Sequence, residues 1–385
     1  MKLRNTIVIV LALLLLITLS MLPAVAQDEE PVAVTFGLPF VPNIQFAPLY
    51  IAIAQGYTAD AGLAIDLEYG DENLMLDLVA VGEMEFAMIG GEQIILARQG
   101  ERPVVFVYEW FQQFAVGIAV PDTTEGVENP ADIAGLRVGI PGRFGASYSG
   151  LTAFLSANGL TEDDIRLEAI GFNAPDVVCL GAVEAAVIYR NNEPLQIQQR
   201  ADAGECGDIT SLTVFPVAAD VDLVSNGIVV SESMIAASPD MVQAMVTAFD
   251  LALRDTINNP AEAYLLSDEF VDGLPLDDDL RAALEAEAEA QREFLATEPD
   301  REAIAESHNA LIDRLAADFA PEQLIQLRVL LASIPLWDAE ILGATDAESW
   351  ETTQEVLLSM GTLETEIDLA AAYSNAFVTS LAESE

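Results

Sequence analysis

From residue 32 onward, short β-rich runs alternate with amphipathic helical runs. The first series extends from VAVTFG to VVFVYEW, and a second begins near residue 136 with LRVGIPG. Strands and helices that alternate at this spacing form βαβ units around a parallel sheet. The 385 residues are enough for two such lobes, each with its own core. We therefore predict an α/β fold with two lobes, each a mostly parallel sheet flanked by helices.

One segment of the first series is repeated in the second. LVAVGEMEFAMIGGE and VVCLGAVEAAVIYRNNE share a Gly, a Glu, an Ala and an Ile at a single offset (181 − 82 = 99). The matched pairs are Gly82/Gly181, Glu85/Glu184, Ala87/Ala186 and Ile89/Ile188. Because they fall at the same place in each series, they indicate two similar lobes.

The chain is divided by a connecting stretch rich in Pro, Gly and Asp, AVGIAVPDTTEGVENPADIAG. We place the first lobe at residues 32–120 and 225–385 and the second lobe at residues 121–224. After LVSNGIVVS, nearly all of the chain has helical periodicity with a polar face, as in DDLRAALEAEAEAQREFLA. We expect these C-terminal helices to pack on the first lobe.

Residues 1–26 read as an export signal, with two cations, an apolar run and a small-x-small site before Gln27. The alternative is an uncleaved anchor, because the apolar run approaches the ~17 residues needed to span a bilayer. Either way, the protein is expected in the periplasm or at the outer face of the cytoplasmic membrane. In an exported protein, Cys179 and Cys206 are expected to form a disulfide that contributes about 3 to 4 kcal/mol.

The acidic composition argues against several classes of function. Cleavage after Ala26 would remove Lys2 and Arg4 and leave 13 arginines against 63 acidic residues, a net charge of 13 − 63 = −50. Nucleic acid and anionic lipid are therefore poor partners. Without lysine, Schiff-base chemistry is excluded, and the single histidine, His308, is expected on an exposed helix face without catalytic or zinc-binding partners. We expect neither an enzyme nor a metal site.

Polar and aromatic residues collect at predicted strand ends, where open α/β sheets bind ligands. PNIQF precedes a helix, and Asn43 either contacts ligand or caps the turn. The aromatics and amides of YEWFQQF suit a flat heterocycle, whereas Arg143 and the glycines of IPGRFGASYSG suit an anion or a polyol. The candidate ligand-binding residues, some of them supported mainly by the resemblance described next, are Asn43, Gln45, Phe46, Glu92, Tyr108, Trp110, Arg143, Tyr148, Tyr189, Asn191 and Glu193.

With these residues in place, the chain resembles type 2 periplasmic binding proteins of the family that includes sulfonate-, thiamine-precursor- and riboflavin-binding components of ABC importers. The resemblance spans residues 32–380 and is carried by PNIQFAPLYIAIAQGY, IYRNNEP, WETTQEVLLSMGTL and AAYSNAF. It implies the two-lobed type 2 fold with a helical C-terminal extension. It also implies a monomer that closes on a ligand, performs no catalysis, needs no cofactor and delivers its ligand to a membrane permease.

YEWFQQF is most similar to the riboflavin-binding branch, which implies that Tyr108 and Trp110 stack on the flavin ring. Two other ligands remain open. Thiamine-pyrimidine binders often carry a His after Pro-Asn, and here Gln45 or Phe46 stands in that region. An alkyl sulfonate would suit Arg143. A more distant alternative is a pyrimidine-precursor enzyme of the same fold.

Overall fold

The computed structural model describes residues 31–382, and the predicted signal peptide lies outside this range. Within it, ten short strands form two five-stranded sheets. Most of these strands are rich in the β-branched and aromatic residues that favour extended backbone. The strands are β1 (Val32–Leu38), β2 (Leu63–Tyr69), β3 (Phe86–Gly90), β4 (Val104–Glu109), β5 (Val116–Pro121), β6 (Arg137–Ile140), β7 (Arg166–Ala169), β8 (Ala185–Tyr189), β9 (Leu212–Pro216) and β10 (Asn226–Ser231).

Helices connect the strands and make up most of the chain after β10. Several begin at an acidic N-cap, as where Asp277 accepts a hydrogen bond of 2.9 Å from the Leu280 amide. The helices are α1 (Ala47–Ala54), α2 (Tyr57–Asp60), α3 (Glu72–Val81), α4 (Gly91–Gln99), α5 (Gly145–Ala157), α6 (Ala174–Cys179), α7 (Glu193–Asp202), α8 (Glu232–Ala237), α9 (Pro239–Asn258), α10 (Pro260–Ser267), α11 (Asp278–Leu295), α12 (Arg301–Leu315), α13 (Pro321–Trp337), α14 (Ala347–Ser359) and α15 (Ala376–Ala382).

The two sheets have the same topology. The first has the order β2-β1-β3-β10-β4, and the second has the order β7-β6-β8-β5-β9. In each sheet one strand, β10 or β5, runs antiparallel to both of its neighbours. The remaining pairs, such as β1 with β2 and β6 with β7, are parallel. This arrangement confirms the predicted fold of two mostly parallel sheets flanked by helices.

The repeated segment has the same structural role in both sheets. Glu85 precedes β3, and its Oε2 accepts a hydrogen bond of 2.8 Å from the Thr35 amide in β1. Glu184 precedes β8 and accepts an equivalent bond of 2.8 Å from the Arg137 amide in β6. In each lobe, a glutamate thus satisfies a backbone N–H of the neighbouring strand, which explains why Glu recurs at this position of the repeat.

The chain passes between the sheets twice, from β4 to β5 and from β9 to β10. Strand β5 belongs to the second sheet, although our predicted boundary placed most of it at the end of the first lobe. Its apolar pattern predicts a strand but carries no information about which sheet it joins. Apart from this strand, the division into residues 32–120 plus 225–385 and residues 121–224 stays a prediction.

C-terminal helices cover both faces of the first sheet. On one face, Phe36 and Val230 pack with Phe249 of α9, while on the other face Phe106 packs edge-to-face on Trp350 of α14 at 5.4 Å. Burying these side chains removes large apolar areas from water and holds the C-terminal segment on the sheet. None of the helices in the described part of the chain is long and apolar enough to span a bilayer.

A disulfide joins Cys179, the last residue of α6, to Cys206, which follows α7. This confirms the predicted pairing. The bond links the end of α6 to the turn after α7. It thus closes a loop within the segment between β7 and β9, in the helical layer of the second sheet.

Candidate functional site

A cavity of about 60 Å³ lies between the two sheets. It is bounded mainly by residues at or just beyond the carboxyl ends of strands, as expected for open α/β sheets. The first sheet's side supplies Pro39, Phe40, Gln45, Phe46, Glu72, Met88, Phe111 and Asn226. The second sheet's side supplies Pro141, Phe144, Ala146, Ser147, Phe172, Val187, Ile188, Tyr189 and Glu193. We refer to this space as the cleft cavity.

Three phenyl rings from both sides of the cleft cavity pack edge-to-face. Phe40 follows β1, and its ring lies 4.8 Å from that of Phe172 at an interplanar angle of 77°. Phe144 lies 6.3 Å from Phe172 at 81°. Phe172 is 41% exposed, so the cluster reaches from the cavity to solvent. The three rings therefore present aromatic surface at the entrance to the cleft.

Hydrogen bonds cross between the lobes at the cleft. The Nδ2 of Asn191 donates to Oε1 of Gln45 at 2.8 Å and to Oγ of Ser333 at 2.7 Å. The Tyr189 hydroxyl donates to Oδ1 of Asn226 at 3.0 Å. The structure thus places Gln45, Tyr189 and Asn191 at contacts that hold the two lobes against each other. Gln45 and Tyr189 line the cleft cavity and Asn191 does not, and a ligand-binding role for the three stays a prediction.

Asn43 has a capping role. Its Oδ1 accepts a hydrogen bond of 3.0 Å from the amide of Gln45, at the start of a short 3₁₀ turn, Ile44–Phe46. Asn43 is not among the residues that line the cleft cavity, whereas Gln45 and Phe46 are. The structure therefore shows the capping role, and a ligand contact by Asn43 stays a prediction.

Three carboxyl groups lie at or beside the cleft cavity. Glu72 and Glu193 line it, and Glu92 is fully buried. Glu72 connects the lobes, because its Oε1 accepts from the Gly90 amide at 2.6 Å and its Oε2 accepts from the Ala146 amide at 3.2 Å. Among residues 31–382, Oε2 of Glu92 has no hydrogen-bond partner. The cleft therefore contains buried acid groups whose hydrogen-bonding capacity is not used up.

Burial raises the pKa of all three carboxyl groups. The negative charge of Glu72 raises the pKa of Glu92 further. The pKa of Glu193 reaches about 7. Burial also raises the pKa of the Tyr189 hydroxyl well above its usual value, and the three nearby carboxylates add to that effect. Near neutral pH these acids can therefore hold protons and donate as well as accept hydrogen bonds.

Tyr108 and Trp110, predicted to stack on a ligand, lie in the core instead. Both are fully buried and neither lines the cleft cavity. The Tyr108 hydroxyl donates to Oδ1 of Asp250 at 2.9 Å, and both rings pack on Phe249 of α9. The reason is that C-terminal segments cover this end of β4, so its aromatic residues face helices. Phe111 follows Trp110 and does line the cavity.

Arg143 and Tyr148 are also placed away from the cleft cavity. Arg143 is more than half exposed and forms an ion pair with Glu162. The Tyr148 hydroxyl donates to Oε2 of Glu162 at 3.0 Å. The acidic residue in the adjacent 3₁₀ turn thus holds both side chains at the surface. Within the described chain, the lining of the cleft cavity includes no Arg, Lys or His, and no cluster of acidic, His or Cys side chains could hold a metal ion.

Sequence reasoning missed Glu72, Phe40 and Phe172. Each follows a predicted strand and satisfies the same strand-end rule that selected Glu92 and Tyr189. Glu72 reads as an ordinary acidic residue in the first turn of a helix, and the phenylalanines read as core residues. A systematic search of every strand end would have found all three.

A model of the family described as NMT1/THI5 like matches residues 43–263. The chain belongs to the NMT1/THI5-like family. The riboflavin-binding protein RibY of Chloroflexus aurantiacus is 32% identical over 366 residues, which cover 92% of this chain and 89% of RibY. The formylaminopyrimidine-binding protein of Halalkalibacterium halodurans is 29% identical over 170 residues, or 44% of this chain and 51% of that protein.

Solved structures show the same fold as this NMT1/THI5-like chain. The alkanesulfonate-binding protein SsuA of Xanthomonas axonopodis pv. citri, bound to MOPS, superposes with a TM-score of 0.60 at 14% identity. The match covers 90% of this chain and 99% of SsuA. This likeness confirms the two-lobed periplasmic-binding-protein fold.

Proposed function

We propose that the protein captures riboflavin in the cleft cavity and delivers it to the permease of an ABC importer outside the cytoplasm. The likeness to RibY over nearly the whole chain supports this choice of ligand. Riboflavin is then the cargo, and no resident cofactor is needed. The protein acts as an exported monomer, either free or held at the membrane by its N-terminal segment.

The observation that carries this proposal is the pairing of aromatic and polar groups around one cavity. Phe40, Phe144 and Phe172 offer ring faces at its entrance, and an isoalloxazine ring is flat enough to stack on them. Gln45 and Glu193 offer hydrogen-bonding groups for the rim of the ring. These phenylalanines take the stacking role that the sequence assigned to Tyr108 and Trp110.

Binding requires the lobes to separate. The cleft cavity of about 60 Å³ is well below the roughly 300 Å³ at which small-molecule pockets begin. Opening would break the interlobe bonds of Asn191 and Tyr189. The ligand then replaces these contacts and closes the lobes around itself, with no covalent step.

An aminopyrimidine is the second candidate, and the acid groups favour it. Glu72 and Glu193 are suited to accept hydrogen bonds from an exocyclic amine and a protonated ring nitrogen. An alkyl sulfonate has less support, because the cavity lining in the described chain offers it no cation and Arg143 is engaged by Glu162. An enzymatic role is disfavoured because no lysine follows Lys2 and His308 lies outside the cavity lining.

The test is a titration of riboflavin with purified protein, followed by flavin fluorescence and by the unfolding midpoint. Stacking quenches the flavin, and binding to the folded state raises the midpoint. Phe172→Ala is expected to weaken binding by about tenfold, since an aromatic pair contributes about 0.5–1.5 kcal/mol beyond its buried area. Parallel titrations with formylaminopyrimidine and an alkane sulfonate identify the ligand class.

Leu180→Ala is the matched control, because it also shortens an exposed apolar side chain of the second lobe but lies outside the cleft cavity. It is expected to bind riboflavin as the unchanged protein does. If riboflavin produces neither quenching nor a shift of the midpoint while formylaminopyrimidine raises the midpoint, the riboflavin assignment is wrong and the second candidate takes its place.

A further inference from the structure

A second and larger space lies among α7, α9, α12 and α13 and the segment that follows α13. It is a groove of about 570 Å³ that shares no lining residue with the cleft cavity. This volume falls within the roughly 300–1,000 Å³ of small-molecule sites. Most of its wall is apolar and includes Ile257, Ile304, Ile312, Leu331 and Leu342. We refer to it as the helical groove.

Three arginines line the helical groove, and they differ in their partners. Arg254 pairs with Asp250 at 2.6 Å, and Arg301 pairs with Asp338 at 2.7 Å. Arg328, a half-buried residue of α13, has no carboxylate within ion-pair distance in the described part of the chain. Its charge is therefore available beside the apolar wall.

This free guanidinium is notable because the chain has 63 acidic residues and only 15 basic ones. Glu340 also lines the groove, but it is exposed and forms no ion pair in residues 31–382. His308, expected on an exposed face, is buried at the groove, and its Nε2 has no hydrogen-bond partner among the described residues. The groove thus holds one buried ring nitrogen without a hydrogen-bond partner and one arginine without an ion pair, counted over the described residues.

We propose that the helical groove binds a small amphiphilic organic anion, such as a medium-chain alkyl carboxylate. The carboxylate pairs with the guanidinium of Arg328, which can hold it through two N–H donors. The alkyl chain lies against the apolar wall and leaves water. One anionic group suffices, because Asp250 and Asp338 already engage the other two arginines. This site does not depend on which ligand enters the cleft.

Isothermal titration calorimetry of purified protein with octanoate tests the proposal. We expect saturable binding with one site per chain, and we expect Arg328→Gln to weaken it at least tenfold. Octan-1-ol carries the same chain without the charge and is expected to bind at least tenfold more weakly. Arg102→Gln is the matched control, because Arg102 is an arginine of the first lobe that pairs with Asp77 outside the groove.

A second variant tests the location independently of charge. Ala332 lines the groove and is partly exposed, so Ala332→Trp is expected to fill the space and abolish octanoate binding. The circular dichroism spectrum checks that both variants are folded. Absence of saturable octanoate binding at millimolar concentration overturns the proposal, as does unchanged binding by folded Arg328→Gln. Displacement of octanoate by the cleft ligand would assign it to the cleft cavity and also overturn the proposal, whereas failure of riboflavin to bind leaves it intact.

Discussion

Glu193 at the cleft should make the stability of this protein depend on pH near neutrality. Burial raises its pKa from 4.5 to about 7 in the folded protein. Between these values the folded protein keeps a proton that the unfolded chain releases, so stability falls as pH rises. At about 1.4 kcal/mol per pH unit, the shift predicts a loss of about 3 kcal/mol between pH 4.5 and pH 7.

Glu193→Gln removes this titration and preserves the shape of the side chain. Its amide oxygen can still accept the hydrogen bond of 2.9 Å from the Tyr189 backbone. Urea unfolding at pH 5, 6, 7 and 8 measures the effect. The variant has no charge to bury, so it is expected to keep the stability that the unchanged protein loses as pH rises. The difference in unfolding free energy between the two proteins should therefore grow with pH and reach about 3 kcal/mol above pH 7.

The matched control is Glu205→Gln, which makes the same change at an exposed position in the loop after α7. Its stability is expected to follow that of the unchanged protein at every pH. Parallel curves for Glu193→Gln and the unchanged protein would refute the reasoning, because they would mean that Glu193 is as well solvated in the folded state as in the unfolded chain.

Two further changes test the packing. Cys179→Ser removes the disulfide to Cys206 and is expected to lower the free energy of unfolding in urea by about 3 kcal/mol, because the unfolded chain regains its loop freedom. As a control, reduction of the disulfide in the unchanged protein is expected to cause an equal loss. Gly343→Ala places a Cβ 2.1 Å from the Tyr108 ring at a backbone φ of +77°. It is expected to lower the free energy of unfolding by more than about 2 kcal/mol, and an unchanged thermal midpoint would contradict the close packing.

The sequence predicts the lobes and part of the site because both depend on local patterns. Alternating strands and helices predict the two sheets, and the strand-end rule selects Gln45 and Tyr189, which lie at the cleft. Tyr108 and Trp110 follow the same rule but are buried by Phe249, a residue far along the chain. No local pattern indicates which strand ends a distant helix will cover.

The second sheet is built entirely from one uninterrupted stretch, residues 116–216, which begins with β5 and ends with β9. Its two ends are neighbours, since Gly117 pairs with Pro216 across adjacent strands. The stretch can therefore be exchanged as a cassette between family members by joining the chain at two adjacent points. Such chimeras would replace the wall that carries Phe172 and Glu193 and keep the wall that carries Gln45 and Glu72, so ligand preference could be assigned to one wall at a time.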